Sequence, residues 1–367
     1  MMFSKPPLVS VIVASYNHAA FVMTAVRSVL EQDYGDIEVL VIDDGSCDGT
    51  PDIVESIKDP RVRLVRLEQN RRVHSRNAGL RTSRGSYIAF QNSDDEWASG
   101  KLNAQINVLE RHKNVVACFT GVEIVDEDGK QLSDSFAHGI FSTENRENTV
   151  WLRRFFDAGN CLCLSSVVVR RSAINAVGHF RPSLVQLSDL DLWVRLAGIG
   201  DFHIIDSHLT RMRIIHDKNV SRPTSANSKR SQIEYGEVLW RYTEHPICDQ
   251  IYKAFSDVIP KSAKSIHTRL AGLALYAWRL GDPCHCMFAD RVLAWLLDDD
   301  AVREEVVALY GTKVVHEFIM RRGELKVITD NDKRIHISAL VKTSIRVILN
   351  EGWPSFFRKL KVWLRYR

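Results

Sequence analysis

The chain lacks any apolar run of the roughly 18 residues that a membrane-spanning helix requires. It also lacks a strong charge of either sign: 49 basic against 45 acidic side chains leave a formal +4 over 367 residues. A general nucleic-acid binder needs a basic excess or a basic stripe, and the first half of the sequence has neither, so nucleic acid is not an expected partner. A disulfide framework is missing too. The seven cysteines stand singly apart from Cys161/Cys163 and Cys284/Cys286, which suits reduced thiols in the cytoplasm. Cys284–His285–Cys286 has no second pair at ligand spacing, so a structural role is expected there rather than zinc. The opening MMFSKPPLVSVIV shows no cleavage pattern of a secretory signal, and a cytoplasmic location is expected.

What the chain does have is enough apolar material for a large core, 45% against 26% charged. Its first 120 residues alternate between two patterns. LVSVIVA (8–14), IEVLVID (37–43), VRLVRL (62–67) and SYIAF (86–90) are short continuous apolar runs, with helical spacing between them. Near Gly49 the helix start is marked by Asp48 or Thr50 as cap and Pro51 in the first turn. Buried strands alternating with helices predict a mostly parallel sheet sandwiched by helices. Further on, SSVVVRR (165–171) reads as a strand, SDLDLWVRLAG (188–198) as an amphipathic helix and FHIID (202–206) as a late strand. The polar stretch 217–232 reads as a linker. The division expected is an α/β domain over 1–225 and a helical C-terminal domain over 226–367.

Ligands of an open parallel sheet bind beyond the carboxyl ends of its strands. The first strand ends in Ser15, Tyr16 and Asn17, the second in Asp43, Asp44 and Gly45, and the fourth in QNSDDEW. Taken singly, the acidic clusters are turn and helix-capping residues. Together at three strand ends they suit a nucleotide: an aromatic face for the base, a carboxylate for a base N–H, and acids for a divalent metal on the diphosphate.

These residues also resemble a known family. VSVIVASYNHAAFVMTAVRSVLEQDYGDIEVLVIDDGSCDGT looks like the opening of the family-2 glycosyltransferases, which have the GT-A fold. The likeness continues through HSRNAGL (74–80), GSYIAFQNSDDEW (85–97), SDLDLWVRL (188–196) and RMRIIHDKNVS (211–221). It implies a GT-A-like α/β domain binding a nucleoside-diphosphate sugar and transferring the sugar with inversion to a glycan or lipid-linked acceptor. Cell-surface polysaccharide synthesis is the expected setting. By the resemblance, Ser15, Tyr16, Asp44, Arg76, Asn92, Ser93 and Asp94 line the donor site, with Asp43 buttressing its loop. Asp94, with Asp95 as neighbour in a variable register, and the later His216 would hold Mn²⁺ or Mg²⁺. Asn92 stands where the family's acidic motif has its first acid, a place an amide can fill toward ribose or an outer-shell water. Asp189, opening the DLDLW helix, takes the place of the catalytic base. Asp191 reads as an acceptor contact or a structural capping group, and Trp193 as a core residue or an acceptor platform. Arg71 and Arg72 occupy a loop where relatives carry glycine.

A silent nucleotide-sugar-binding or scaffold protein is the rival reading, suggested by Asn92 and opposed by Asp189, Asp94 and His216. A nucleotidyltransferase would want a loop rich in glycine and lysine after the first strand, and ASYNHAAF has neither. The tail FFRKLKVWLRYR sets Phe356, Phe357, Leu360, Trp363 and Leu364 on one stripe among basic residues. That pattern fits either peripheral contact with an anionic membrane or docking on the rest of the helical domain.

Overall fold

A computed structural model of the chain describes residues 9–68, 73–132, 141, 144–215 and 224–321. Two compact units emerge, Met1–Ala254 and Phe255–Arg367.

The first unit is built on one eight-stranded sheet. Its strands are β1 (Val9–Ser15), β2 (Ile37–Asp43), β3 (Val62–Arg66), β4 (Tyr87–Asn92), β5 (Glu96–Trp97), β6 (Val115–Val125), β7 (Val168–Arg170) and β8 (Asp201–Arg213). They lie in the order β3-β2-β1-β4-β7-β6-β8-β5. The helices of this unit are α1 (Val22–Leu30), α2 (Thr50–Glu55), α3 (Val73–Thr82), α4 (Lys101–Arg111), α5 (Asn148–Ala158), α6 (Arg171–Val177), α7 (Ser188–Ala197), α8 (Ser225–Leu239) and α9 (Ile247–Ala254). The four strands β3, β2, β1 and β4 pair in parallel. Val9, Val11, Val13, Val39 and Val41 are fully buried, as expected of a sheet covered on both faces.

β7 runs antiparallel to both β4 and β6, and β6 runs parallel to β8. The direction of β8 is therefore that of β1 and β4. Helix α7 leads into the start of β8 over the turn at Gly198–Gly200, so its own first turn faces the opposite edge, where β1, β2 and β4 end. Ten residues span about 15 Å, enough to cross the sheet.

Three sequence expectations change. The strand expected over 165–171 shrinks to Val168–Arg170 behind a 3-10 turn at Leu164–Ser166. The late strand extends through Arg213, and VVACFTGVEIV, which the alternation does not single out, forms its partner β6. Of the expected linker over 217–232, residues 217–223 lie outside the described residues, and from Ser225 it is helix α8: Thr224 caps it through Asn227 N at 3.1 Å, and it buries Glu234, Val238 and Leu239. That helix belongs to the sheet unit. Tyr235 Oη donates to Phe155 O at 2.8 Å, and Tyr242 Oη, in the following 3-10 turn, donates to Leu152 O at 2.6 Å. The boundary thus moves from about residue 225 to Ala254.

The second unit holds α10 (Ile266–Leu280), α11 (Pro283–Leu297), α12 (Asp300–Tyr310) and α13 (Thr312–Arg321). Leu273, Ala274, Phe288, Val292 and Leu296 fill its core. Tyr310 Oη donates to Thr268 O at 2.7 Å across Gly272, where any Cβ would meet that hydroxyl at 2.5 Å. Cys284, His285 and Cys286 are buried at the start of α11, with the His285 ring against the capping Asp282. Among the described residues no helix is long and apolar enough to cross a membrane. The basic tail beyond residue 321 lies outside the described residues, as do Arg71, Arg72 and His216.

Candidate active site

Three strand ends are bolted together by side chains. After β1, Asn17 adopts a left-handed φ of 53°, donates its N–H to Ser46 Oγ at 2.8 Å and accepts Cys47 N–H on its Oδ1 at 2.9 Å. Asparagine tolerates that conformation better than most side chains. His18 N–H bonds Thr50 Oγ1 at 3.0 Å, and its ring Nδ1 meets Ser93 Oγ at 2.7 Å. The loops after β1, β2 and β4 are thereby one body.

Ser15 and Asp43 are register partners at the ends of β1 and β2, and both are buried. Asp43 Oδ2 accepts Ser46 N–H at 3.1 Å. Its Oδ1 and the Ser15 hydroxyl have no partner among the described residues. Buried polar atoms are nearly always paired, so two adjacent unpaired ones mark a place for a ligand or water. Asp43, Gly45, Ser46, Arg66, Leu67 and Glu68 line a hollow of about 380 Å³ beside them. Tyr16 is 41% exposed above this edge. Asp44 is buried, its N–H on Ser15 O at 2.8 Å. Both acids are thus enclosed, and of the two Asp43 lines the hollow.

At the end of β4 the acids divide. Asp95 is 1% exposed and fully engaged: Oδ2 accepts Asn92 Nδ2 at 3.0 Å and the Ser165 hydroxyl, and Oδ1 accepts Arg213 N–H at 2.9 Å. It is not placed to hold a metal. Asn92 thus holds Asp95, where an acid would set two carboxylates face to face. Ser93 is likewise buried and taken up by His18. Asp94 is only partly buried, and among the described residues no other side chain donates to its carboxylate. Burial pushes both carboxyls above the usual range, with the Arg213 guanidinium holding Asp94 back and Asp94 itself adding to the rise at Asp95. Arg213 stitches this loop to β8 through Asp94 O at 3.0 Å, Glu127 O at 2.7 Å and the Glu96 carboxylate. No group of three metal-ligating side chains gathers among the described residues.

Asp189 lies in the first turn of α7. Its Oδ2 accepts Asn160 Nδ2 at 2.9 Å, and its Oδ1 accepts Leu190 N–H at 2.8 Å. Burial raises its carboxyl above the usual range, while the nearby Arg76 guanidinium pulls it down. Arg76 reaches the same turn, 3.4 Å from Ser188 Oγ, with its guanidinium 5.7 Å from the Phe180 ring centre. Cys163 feels both Asp95 and Asp189, which raise its thiol further after burial has done so. The proposed base and the acidic loop thus share one neighbourhood.

The two acceptor candidates of α7 are both core residues. Asp191 is fully buried and ion-paired, with Arg195 Nη2 at 2.7 Å and Arg241 Nε at 2.8 Å. Trp193 is fully buried, edge-on to Phe119 at 5.1 Å between ring centres. The helix period sends both into the core, away from the sheet edge that Asp189 faces. Asn160, Ser165 and Glu234 escape the sequence reading because their roles depend on contacts between residues far apart in the chain.

The family description "Glycosyl transferase family 2" matches residues 10–174. Over that stretch, somewhat under half of the chain, the sequence is that of a family 2 glycosyltransferase domain. A Bacillus subtilis glycosyltransferase named for teichuronic acid biosynthesis, TuaG, is 38% identical over 140 residues, 37% of this chain and 55% of that protein. The Escherichia coli UDP-Glc:α-D-GlcNAc-diphosphoundecaprenol β-1,3-glucosyltransferase WfaP is 28% identical over 237 residues, 63% of this chain and 85% of its own. Residues 1–349 of S. aureus TarS, crystallised with UDP-GlcNAc, superpose with a TM-score of 0.53 over 85% of this chain and 92% of that one. At 16% identity that likeness speaks for the fold of the glycosyltransferase domain, GT-A-like, and for nothing finer.

Proposed function

We propose that this glycosyltransferase moves a sugar, with inversion, from a nucleoside-diphosphate sugar to a glycan or lipid-linked acceptor in cell-surface polysaccharide synthesis. The observation that carries the donor site is the pair of unpartnered buried atoms, Ser15 Oγ and Asp43 Oδ1, beside the hollow after β2. A base N–H would satisfy Asp43 Oδ1, and the exposed Tyr16 ring offers a face to stack on. The names of TuaG and WfaP support the polysaccharide setting and the lipid-linked acceptor.

Asp189 is the base of this reading. Its burial-raised carboxyl is better matched to taking a proton near neutrality than an ordinary aspartate. Asn160 holds the side chain, and Arg76 keeps enough of it ionised to act. Asp94 fits a divalent cation, Mn²⁺ or Mg²⁺, as the acid of its loop left without a side-chain donor, with the donor's own phosphate oxygens completing the shell. Such an ion would neutralise charge on the departing diphosphate. Peripheral attachment to an anionic membrane through FFRKLKVWLRYR is part of the proposal, and rests on the sequence pattern alone.

The test is a panel of UDP-glucose, UDP-N-acetylglucosamine and GDP-mannose assayed for slow hydrolysis with and without Mn²⁺. Proton NMR of the first-formed sugar reads its anomeric configuration. Metal-stimulated hydrolysis of one donor with inversion supports the reading; retention, or tight nucleotide-sugar binding without turnover, contradicts it.

A further inference from the structure

Helix α7 starts without a cap of its own. Leu187 stands at the N-cap and has no oxygen to offer the free N–H groups. The three residues that lead into the helix are instead held from α8. Glu234, 4% exposed, accepts three successive backbone N–H groups: Val185 on Oε1 at 2.8 Å, Gln186 on Oε2 at 2.7 Å and Leu187 on Oε2 at 2.8 Å. Charge-assisted bonds of this kind, away from water, are strong and geometrically demanding. They fix the approach of the chain to α7.

A second tie lies on the other side of Asp189. Arg241, in the turn after α8, donates to Asp191 Oδ1 at 2.8 Å, while Arg195 grips Asp191 Oδ2 at 2.7 and 2.9 Å. Asp189 sits between the two tied points, two residues after Leu187 and two before Asp191. Its own side chain takes only one side-chain hydrogen bond among the described residues, from Asn160. Its carboxylate therefore lies where Asn160 and the backbone of this turn together place it. The sheet unit also holds α8 through Tyr235 and, in the turn that follows, Tyr242, two ties that do not involve Glu234.

We infer that Glu234 is a positioning residue for Asp189, acting through residues 185–187 and never touching the substrate. It lies beyond residue 174, where the family match ends. The inference rests on the reading of Asp189 as base.

The experiment combines Glu234→Ala and Glu234→Gln, each with and without Asp189→Asn. Hydrolysis of UDP-glucose, UDP-N-acetylglucosamine and GDP-mannose is followed, with UDP and GDP affinity by calorimetry. Glu234→Ala should lower kcat by about 10- to 100-fold, as small misplacements of a reacting group do. KM and nucleotide affinity should stay within roughly twofold, because the donor loops are bolted independently. Glu234→Gln keeps one accepting oxygen and should recover part of the loss. In the Asp189→Asn background, Glu234→Ala should add nothing. Unchanged kcat, the same fold loss in both backgrounds, or nucleotide affinity falling in step with kcat would each overturn the inference. If Glu234→Ala does not fold, Glu234→Gln carries the same comparison. Failure of the base reading looks different: Asp189→Asn alone would then leave turnover intact. Independently of turnover, the ¹³C carboxyl signal of Asp189, recognised by its loss in Asp189→Asn, should titrate at lower pH in Glu234→Ala as water reaches the loosened turn. An unchanged titration would overturn the inference as well.

Discussion

Asn160 donates its amide Nδ2 to Asp189 at 2.9 Å while its Oδ1 accepts Leu162 N–H at 3.0 Å, so the amide can face the carboxylate in one orientation only. Five residues on, Ser165 donates to the buried Asp95. One stretch of chain, with Cys161 to Leu164 buried between, therefore holds both the proposed base and the floor of the acidic loop.

A pH dependence follows from this arrangement. Turnover needs the Asp189 carboxylate, so it should fall as pH drops through a pKa held above the usual aspartate range by burial. The Arg76 guanidinium opposes that rise. Arg76→Gln removes a cation that favours the ionised form, and Asn160→Asp adds a like charge that disfavours it; both should move the acid limb to higher pH. Profiles of kcat for the two variants check the sign. A limb moving to lower pH in either would contradict the assignment.

Metal binding should separate the two neighbouring acids. Asp94→Ala should abolish Mn²⁺-dependent nucleotide binding while leaving the melting temperature nearly unchanged. Asp95→Ala should instead cost about 2–4 kcal/mol of stability, because it strands the Asn92 amide, the Ser165 hydroxyl and the Arg213 N–H. Calorimetry and thermal melts on the pair decide it. Equal metal loss in both variants, with equal stability, would erase the distinction.

Asn92→Asp bears on the same loop. It sets a second carboxylate against Asp95 where the amide now donates at 3.0 Å. Like charges raise the pKa of the pair, so the folded state holds a proton that the unfolded chain releases. Destabilisation should thus be present at pH 7 and shrink as the pH is lowered toward 5. Thermal melts across that range, compared with the parent chain, would show no pH-dependent difference if Asn92 were free of Asp95.

The helix that carries Asp189 also carries residues whose loss should be structural. Asp191→Ala strands Arg195 and Arg241 and should cost about 3–5 kcal/mol, the range for breaking a buried pair. Trp193→Ala, removing a fully buried ring, should cost about 3–5 kcal/mol as a cavity. Both should lower yield and melting temperature rather than shift acceptor KM selectively.

The parallel half of the sheet is legible in the sequence because Val9–Ser15 and Ile37–Asp43 are apolar runs closed by turn residues, a purely local signal. Asp189 is legible as well, since the DLDLW pattern sets it in a first helical turn. What the residues do to one another is not. Asp94 and Asp95 are indistinguishable as letters, and only the fold gives one of them three donors. Asp191 reads as acceptor contact or cap, and Trp193 as core or acceptor platform, until α7 is docked with both inward. Glu234 stands two residues past the polar stretch 217–232 that reads as a linker, in a helix whose polar solvent face outweighs its few buried positions.

Asp189→Asn is the most direct trial of the central claim, that Asp189 is the base of sugar transfer. On the nucleotide sugar that the wild type hydrolyses, turnover should fall by about 10²–10⁴-fold. Affinity for the matching nucleoside diphosphate should be unchanged, since the donor loops after β1, β2 and β4 are braced without Asp189. Turnover within a few-fold of wild type, at equal nucleotide affinity, would contradict the account.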